Sequence, residues 1–361
     1  MRLSLPMKTV LGFLLLAGSA LALPPYLHTP AELSALAAEA PAALKKVVTT
    51  VVDKQVAAPS GDPHDYVSFA RYYWPDPKKP DGLPYVSRDG QHNQAQVARG
   101  DRHRIGEFCE TVDTLAAAWA VNRDEAAARR AGEWLRAWFV TPATRMNPHL
   151  EYAQVRLGHN KNQGNPSGML DSRGFANVVD ALRLLDDSPA LTAEEKTAIR
   201  SWFGQFLDWF TTAKIAVAER KAKNNHGSWY FAQAVPIARY LGRDDLARTL
   251  CEESRTLFCH QIQPDGSQPE EIRRVDGLGY SRFNLEAQFQ VVRQAAGLGL
   301  DLWHYTAPNG ASLRAALDFL RPYNAAPEKW PHSQHEKLKP GFLDELIQQA
   351  AEFDRTLPRA S

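Results

Sequence analysis

The 361-residue chain sets 42 Lys and Arg against 41 Asp and Glu, a formal net charge of +1. That balance excludes a protein built to hold nucleic acid through bulk charge, which needs a strongly basic surface. Three cysteines, Cys109, Cys251 and Cys259, are too few and too scattered for a zinc cluster or a disulfide framework. Cys251 and Cys259 fall within one helical pattern, about 12 Å apart along its axis, too far to pair. All three read as small buried residues.

The chain opens on MRLSLPMKTVLGFLLLAGSALALPPY, in which Arg2 and Lys8 precede an apolar run from Val10 to Leu16 and small residues Ala20 and Ala22 frame a cleavage site. This is the pattern of a secretory signal peptide cut after Ala22, and it predicts a periplasmic or secreted protein. Loss of residues 1–22 removes one Arg and one Lys and leaves a net charge of −1. No later stretch has the roughly 20 apolar residues of a membrane span. Residues 23–361 are expected to form one domain.

Helix starts follow in order. Thr29-Pro30-Ala31-Glu32 combines an N-cap, a proline at the first helical position and a capping-box glutamate; Asn122 with Glu125 and Thr192 with Glu195 repeat the cap-and-acid signal. Apolar residues then recur at spacings of three and four. Examples are Ile105, Phe108, Cys109, Val112, Leu115 and Trp119; Ala131, Trp134, Leu135 and Trp138; and Ile199, Trp202, Phe203 and Phe206. Phe175, Val178, Val179 and Leu182 continue the pattern, as do Leu313, Ala316, Leu317 and Leu320 near the end. Long helices arriving in pairs, with aromatic inner faces and no fixed repeat, predict an all-α fold of the α/α toroid type, an incomplete barrel of helical hairpins. Residues 329–361 keep a helical pattern that is expected to close the ring.

Two connections break the rhythm. Residues 66–93, YVSFARYYWPDPKKPDGLPYVSRDGQHN, are rich in proline and aromatics; residues 157–174, LGHNKNQGNPSGMLDSRG, are dense in amides and glycine. Long loops within a compact domain are usually functional or disordered, and the aromatic content argues for function. Tyr72, Tyr73 and Trp74 offer flat faces for sugar rings. Arg88, Asn93, Asn160, Asn162 and Gln163 offer hydrogen bonds to hydroxyls or carboxylates, or alternatively bonds internal to the loops.

In AKNNHGSWYFAQ, residues 222–233, a helix is expected to begin near Gly227 and run through Trp229 and Tyr230. Asn225 and His226 then stand at its N-terminal end, where free N–H groups and the helix dipole favour an anion and keep an imidazole neutral. Trp229 is a further candidate platform for a sugar. About fifty residues on, QPEEIRRVDGLGYSRFNLEAQ places Arg273, Arg274, Tyr280 and Arg282 together. Arginine reads a carboxylate through two parallel hydrogen bonds, and its charge lowers the pKa of a nearby phenol. These groups suit removal of the C5 proton of a uronic acid. The anion so formed spreads into the carboxylate, which Asn, His and Arg neutralise without a metal, while a Tyr takes the proton and returns one to the leaving oxygen.

The loop YVSFARYYWPDPKKPDGLPYVSRDG, the NNH at a helix start and the PEEIRR…LGYSRFN segment resemble the alginate lyase superfamily of polysaccharide lyases, over roughly residues 60–300. The resemblance implies an α/α toroid, β-elimination on an anionic uronate polysaccharide, and no cofactor. It places the family's asparagine–histidine pair on Asn225 and His226, its tyrosine on Tyr280, and its arginine on Arg274, with Arg273 as the alternative register. Gly227 and Ser228 depart from the better-known alginate lyases, so polymannuronate and glucuronan both stay open as substrates. A glycoside hydrolase would need two carboxylates about the scissile bond, with Asp171, Glu270, Glu271 and Asp276 as candidates. A periplasmic binding protein for acidic sugars would use the same groove without turnover. A metal centre is not expected, since His159 and His226 lack partners at ligand spacing.

Overall fold

A computed structural model describes residues 27–357; the signal-peptide segment lies outside them. Its helices begin with α1 (Pro30–Ala38), α2 (Ala40–Ala43), α3 (Gln94–Val97), α4 (Arg102–Asn122), α5 (Glu125–Phe139), α6 (Phe175–Leu184) and α7 (Ala193–Thr212). They continue with α8 (Lys214–Arg220), α9 (Asn225–Tyr240), α10 (Asp244–Gln261), α11 (Pro269–Ile272), α12 (Gly277–Ala296), α13 (Leu313–Leu320) and α14 (Asp344–Thr356). An inner course runs α1, α4, α6, α9, α12, each packed on the next, while α5 and α10 back onto α4 and α9 from outside. The fold is the expected α/α toroid. α14 packs on α12 and α13 and approaches α1 where Glu345 meets Glu32, so the C-terminal segment bridges the opening of the ring.

The sequence stripes are the core. Every residue named in them is buried, and the aromatic ones interlock: Phe108 stacks on Trp138 at 4.6 Å, Trp202 on Phe206 at 5.4 Å, and Phe210 on Tyr230 at 4.6 Å. Buried indoles still need acceptors, so Trp138 donates to the Thr49 carbonyl at 2.9 Å and Trp202 to that of Met146 at 2.7 Å. Capping boxes form at Thr29 and Thr192 as expected. Asn122, however, closes α4 instead of capping α5. Arg123 turns into the left-handed region at φ 54°, and Asp124 caps α5 by accepting from the N–H groups of Ala126 and Ala127. Cys109 and Cys251 are buried as expected, whereas Cys259 is only half-buried.

The two long connections are not featureless. They and the segment between them hold β1 (Val67–Phe69), β2 (Tyr73–Trp74), β3 (Val86–Ser87) and β4 (Tyr152–Val155). β1 pairs in parallel with β4, and β2 and β3 form an antiparallel ribbon. Strands of two to four residues are too short to register as alternation in a sequence.

The start of the described chain is tied to α6 and α4: the Leu27 N–H donates to Asp180 of α6, and His28 Nε2 meets Asp113 of α4 at 2.9 Å. Burial pushes the Asp180 carboxyl up to about 6, against Arg183 and the Leu27 N–H, which lower it. For His28, burial acts downward but the bond to Asp113 and the surrounding carboxylates outweigh it and raise the imidazole. Both groups bind protons more tightly folded than unfolded, so both lend stability at low pH that is lost as pH rises through their folded values. Melting temperature is therefore expected to fall as pH climbs from the ordinary aspartate value of 3.8 past about 6. Asp180→Asn should flatten that slope in a calorimetric pH series, and an unchanged slope refutes the assignment.

Candidate active site

α9 begins two residues earlier than expected. Asn224 is its N-cap, accepting from the His226 N–H at 3.3 Å, which makes Asn225 and His226 the first two helical residues. The Asn225 N–H meets a carboxylate supplied by the chain itself. Glu271 of α11 accepts from the Asn225 backbone N–H and from Asn225 Nδ2, both at 2.6 Å. Burial pushes the Glu271 carboxyl up, and the two Asn225 bonds pull it partly back. A second buried glutamate, Glu219 of α8, holds His226 through Nδ1 at 2.5 Å. Burial raises Glu219 too, opposed by the His226 bond. With Nδ1 engaged, Nε2 is the ring nitrogen left for the cavity that His226 lines.

α12 brings a further part of the wall. Tyr280 lies in its first turn, its hydroxyl 2.7 Å from the Tyr72 hydroxyl and accepting from Arg274 Nη2 at 3.1 Å. The Arg274 guanidinium also lies over the Tyr280 ring, 4.1 Å from its centroid. Arg274 is itself forked onto Asp89, Nε to Oδ2 at 3.0 Å and Nη2 to Oδ1 at 2.7 Å. Burial alone would lower the guanidinium pKa, but Asp89 and the two tyrosines raise it. The sequence reading expected arginine to lower the phenol. Instead, burial and the bond to Tyr72 raise Tyr280 above its ordinary value, and the charges of Arg274 and Arg71 offset this only in part.

Asn225, His226, Arg274 and Tyr280 open together on a cavity of about 640 Å³, the size of a small-ligand site. Tyr72 and Tyr73 line it as expected. Arg282 lines it too, whereas the other candidates for sugar contacts lie elsewhere. Trp74 donates its indole N–H to the Gln91 carbonyl with Arg88 over its ring, so both pin the loop. Asn93 caps α3 and donates to the Tyr73 carbonyl. Asn162 accepts from the Gly158 N–H, and Asn160 and Gln163 bond to each other within the same exposed turn. Arg273 is turned to solvent and paired with Glu270, whereas its neighbour Arg274 lines the cavity. Trp229 is buried against Phe283 and borders a separate, smaller space of about 270 Å³. No tryptophan lines the larger cavity; among the described residues they serve the core or the loops.

The cavity also contains Arg71, His92, Gln154, Arg156, Arg173 and Glu336, which no sequence pattern singled out. Arg71 adjoins Tyr72 within the quoted loop, and that adjacency was the one available signal. The carboxylates named for a hydrolase are engaged by other groups, although Asp276 does line the cavity. Asp171 is buried, bonded to Tyr66, Ser68 and Gln154 and paired with Arg102. Glu270 and Glu271 hold Arg273 and Asn225, and Asp276 accepts the N–H groups of His335 and Glu336.

The toroid and the four groups at its cavity suit the elimination expected from the sequence, and the comparisons make the chain a polysaccharide lyase. The profile of the family described as alginate lyase matches residues 50–330. The crystal structure of an alginate lyase from Bacteroides ovatus is 39% identical, with a TM-score of 0.86, covering 91% of this chain and 87% of its own. Alginate lyase A1-III from Sphingomonas species A1 shares the fold at 16% identity and a TM-score of 0.58, over 92% of this chain and 90% of its own. A variant of A1-III complexed with a tetrasaccharide superposes with a TM-score of 0.57 at 14% identity, over 91% and 89% of the two chains. No curated protein matches the chain. The chain belongs to the alginate lyase family.

Proposed function

We propose that this lyase cleaves 4-linked uronic acid polymers, polymannuronate in alginate or glucuronan, by β-elimination without a metal ion. The observation that carries the reading is the single cavity lined by Tyr280, held by Arg274, together with Asn225 and His226. In this reading the Tyr280 oxygen, as phenolate, takes the C5 proton while the C4–O4 bond breaks. The C–H electron pair becomes the C4=C5 double bond, and the electrons of the broken bond stay on O4. When C5–H and O4 lie on the same side, the Tyr280 phenol returns its proton to O4. When they lie on opposite sides, His226 Nε2 takes the C5 proton instead, and Tyr280, as the neutral phenol, gives its proton to O4. Asn225 keeps a second Nδ2 hydrogen for the substrate carboxylate, since one is given to Glu271. The Bacteroides ovatus enzyme, described as an alginate lyase, and the tetrasaccharide complex of A1-III support the substrate class. The leader-like N-terminus supports a periplasmic or secreted enzyme.

The test is ultraviolet absorbance of the 4,5-unsaturated product on polymannuronate, polyguluronate and glucuronan in parallel, before and after dialysis against EDTA. A rise on one polymer that survives dialysis is expected. Loss on dialysis would refute metal independence, and silence on all three would refute the uronate reading.

A further inference from the structure

Elimination from a uronate loads its carboxylate with extra negative charge as the C5 proton leaves, and an uncompensated cation beside it is the strongest available stabiliser. The cavity holds five guanidinium groups, from Arg71, Arg156, Arg173, Arg274 and Arg282. Two are already neutralised: Arg274 by its fork on Asp89, and Arg282 by Glu286 at 2.7 Å. A carboxylate reaching Arg274 must compete with a bidentate partner in place. The three remaining guanidinium groups make no ion pair among the described residues.

Their surroundings separate these three. Arg156 lies over the Tyr73 ring, 4.7 Å from its centroid. Arg173 is exposed at the partition between the two cavities. Arg71 is half-buried with its guanidinium 5.7 Å from the Tyr72 ring centroid, beside the pair of hydroxyls formed by Tyr72 and Tyr280. It is near enough to Tyr280 for its charge to act on that phenol. Asp171 is a carboxylate whose charge reaches Arg71, but it is paired with Arg102 at 3.3 Å, and the Arg102 charge opposes Arg71. A guanidinium withdrawn from water without a counterion is costly, and the cost is recovered when an anion arrives.

We propose that Arg71 is a further catalytic residue, the cation that pairs with the carboxylate of the uronate losing its C5 proton, while Arg274 serves the Tyr280 phenol. The assignment rests on the β-elimination reading above. Asp89 keeps Arg274 over the phenol, Asn225 and His226 supply neutral donors, and Arg71 supplies the charge.

The test compares kcat and KM of Arg71→Ala, Arg71→Lys, Arg156→Ala and Arg173→Ala on the polymer the wild type cleaves, with melting curves for each. Arg71→Ala is expected to melt near the wild type and to lose about 100- to 1,000-fold in kcat. Arg71→Lys, or guanidinium ion added to Arg71→Ala, should restore part of that rate, which a packing defect would not allow. Arg156→Ala and Arg173→Ala should act mainly on KM. The assignment is overturned if Arg71→Ala keeps kcat within a few-fold, if its loss lies wholly in KM, or if neither lysine nor guanidinium restores rate. A kcat loss in Arg173→Ala that Arg71→Ala lacks would move the role to Arg173. Absence of product from the wild type on every polyuronate would instead refute the reaction itself, and Arg71 with it.

Discussion

Tyr280→Phe is expected to lower kcat by about three to four orders of magnitude while leaving KM and the melting temperature near those of the wild type. On the α12 wall the hydroxyl can both take and return a proton, whereas the Glu286 carboxyl on the same helix is engaged by Arg282. Its loss leaves the ring stacked beneath Arg274 and removes only its bonds to Tyr72 and Arg274. Because burial and Tyr72 hold the phenol above its ordinary value, the phenolate is scarce at neutral pH. The wild-type kcat/KM should therefore rise with pH through the neutral and mildly alkaline range, and that limb should vanish from the residual activity of the variant. Retention of more than about a tenth of the wild-type rate would remove Tyr280 from the proton transfer.

Gly227→Ala should damage stability and activity together. A Cβ at this position would lie 2.2 Å from the Ala222 carbonyl oxygen, a backbone atom that cannot swing aside. The clash sits one residue beyond His226, in the turn that fixes Asn225 against Glu271 and His226 against Glu219. Overpacking of this kind costs about 1–3 kcal/mol. Relief by even about 1 Å of movement at the start of α9 should lower kcat/KM by about 100-fold. Calorimetry with kinetics on the purified variant tests both parts. Unchanged activity would show that the start of α9 tolerates displacement and that its geometry is not set by this contact.

Gly227 also shows what the sequence conveyed and what it withheld. NNHG announced a helix start bearing an amide and an imidazole, because capping and helix periodicity are local properties written in adjacent residues. It did not announce Glu219 and Glu271, whose roles arise only when α8 and α11 pack against that turn. The core stripes were legible for the same local reason, and the toroid followed from their pairing. The cavity wall was not. Trp74, Arg88 and Asn93 looked like sugar contacts by composition, but a two-stranded ribbon needs internal pins, and they supply them. Arg71 carried no pattern of its own, since an unpaired charge is recognised only by what does not surround it. The lowered phenol expected beside Arg274 failed because proximity in sequence gives the charge but not the burial that opposes it.

Asp89 meets Arg274 across 185 positions of sequence, and Tyr72 meets Tyr280 across 208. Contacts of such span close late, because their loops are entropically expensive until the intervening helices are in place. Turnover is thus a clock for the last stage of renaturation: in a refolding experiment, helical ellipticity returns first, and enzyme activity marks the moment the ring has drawn its distant ends together.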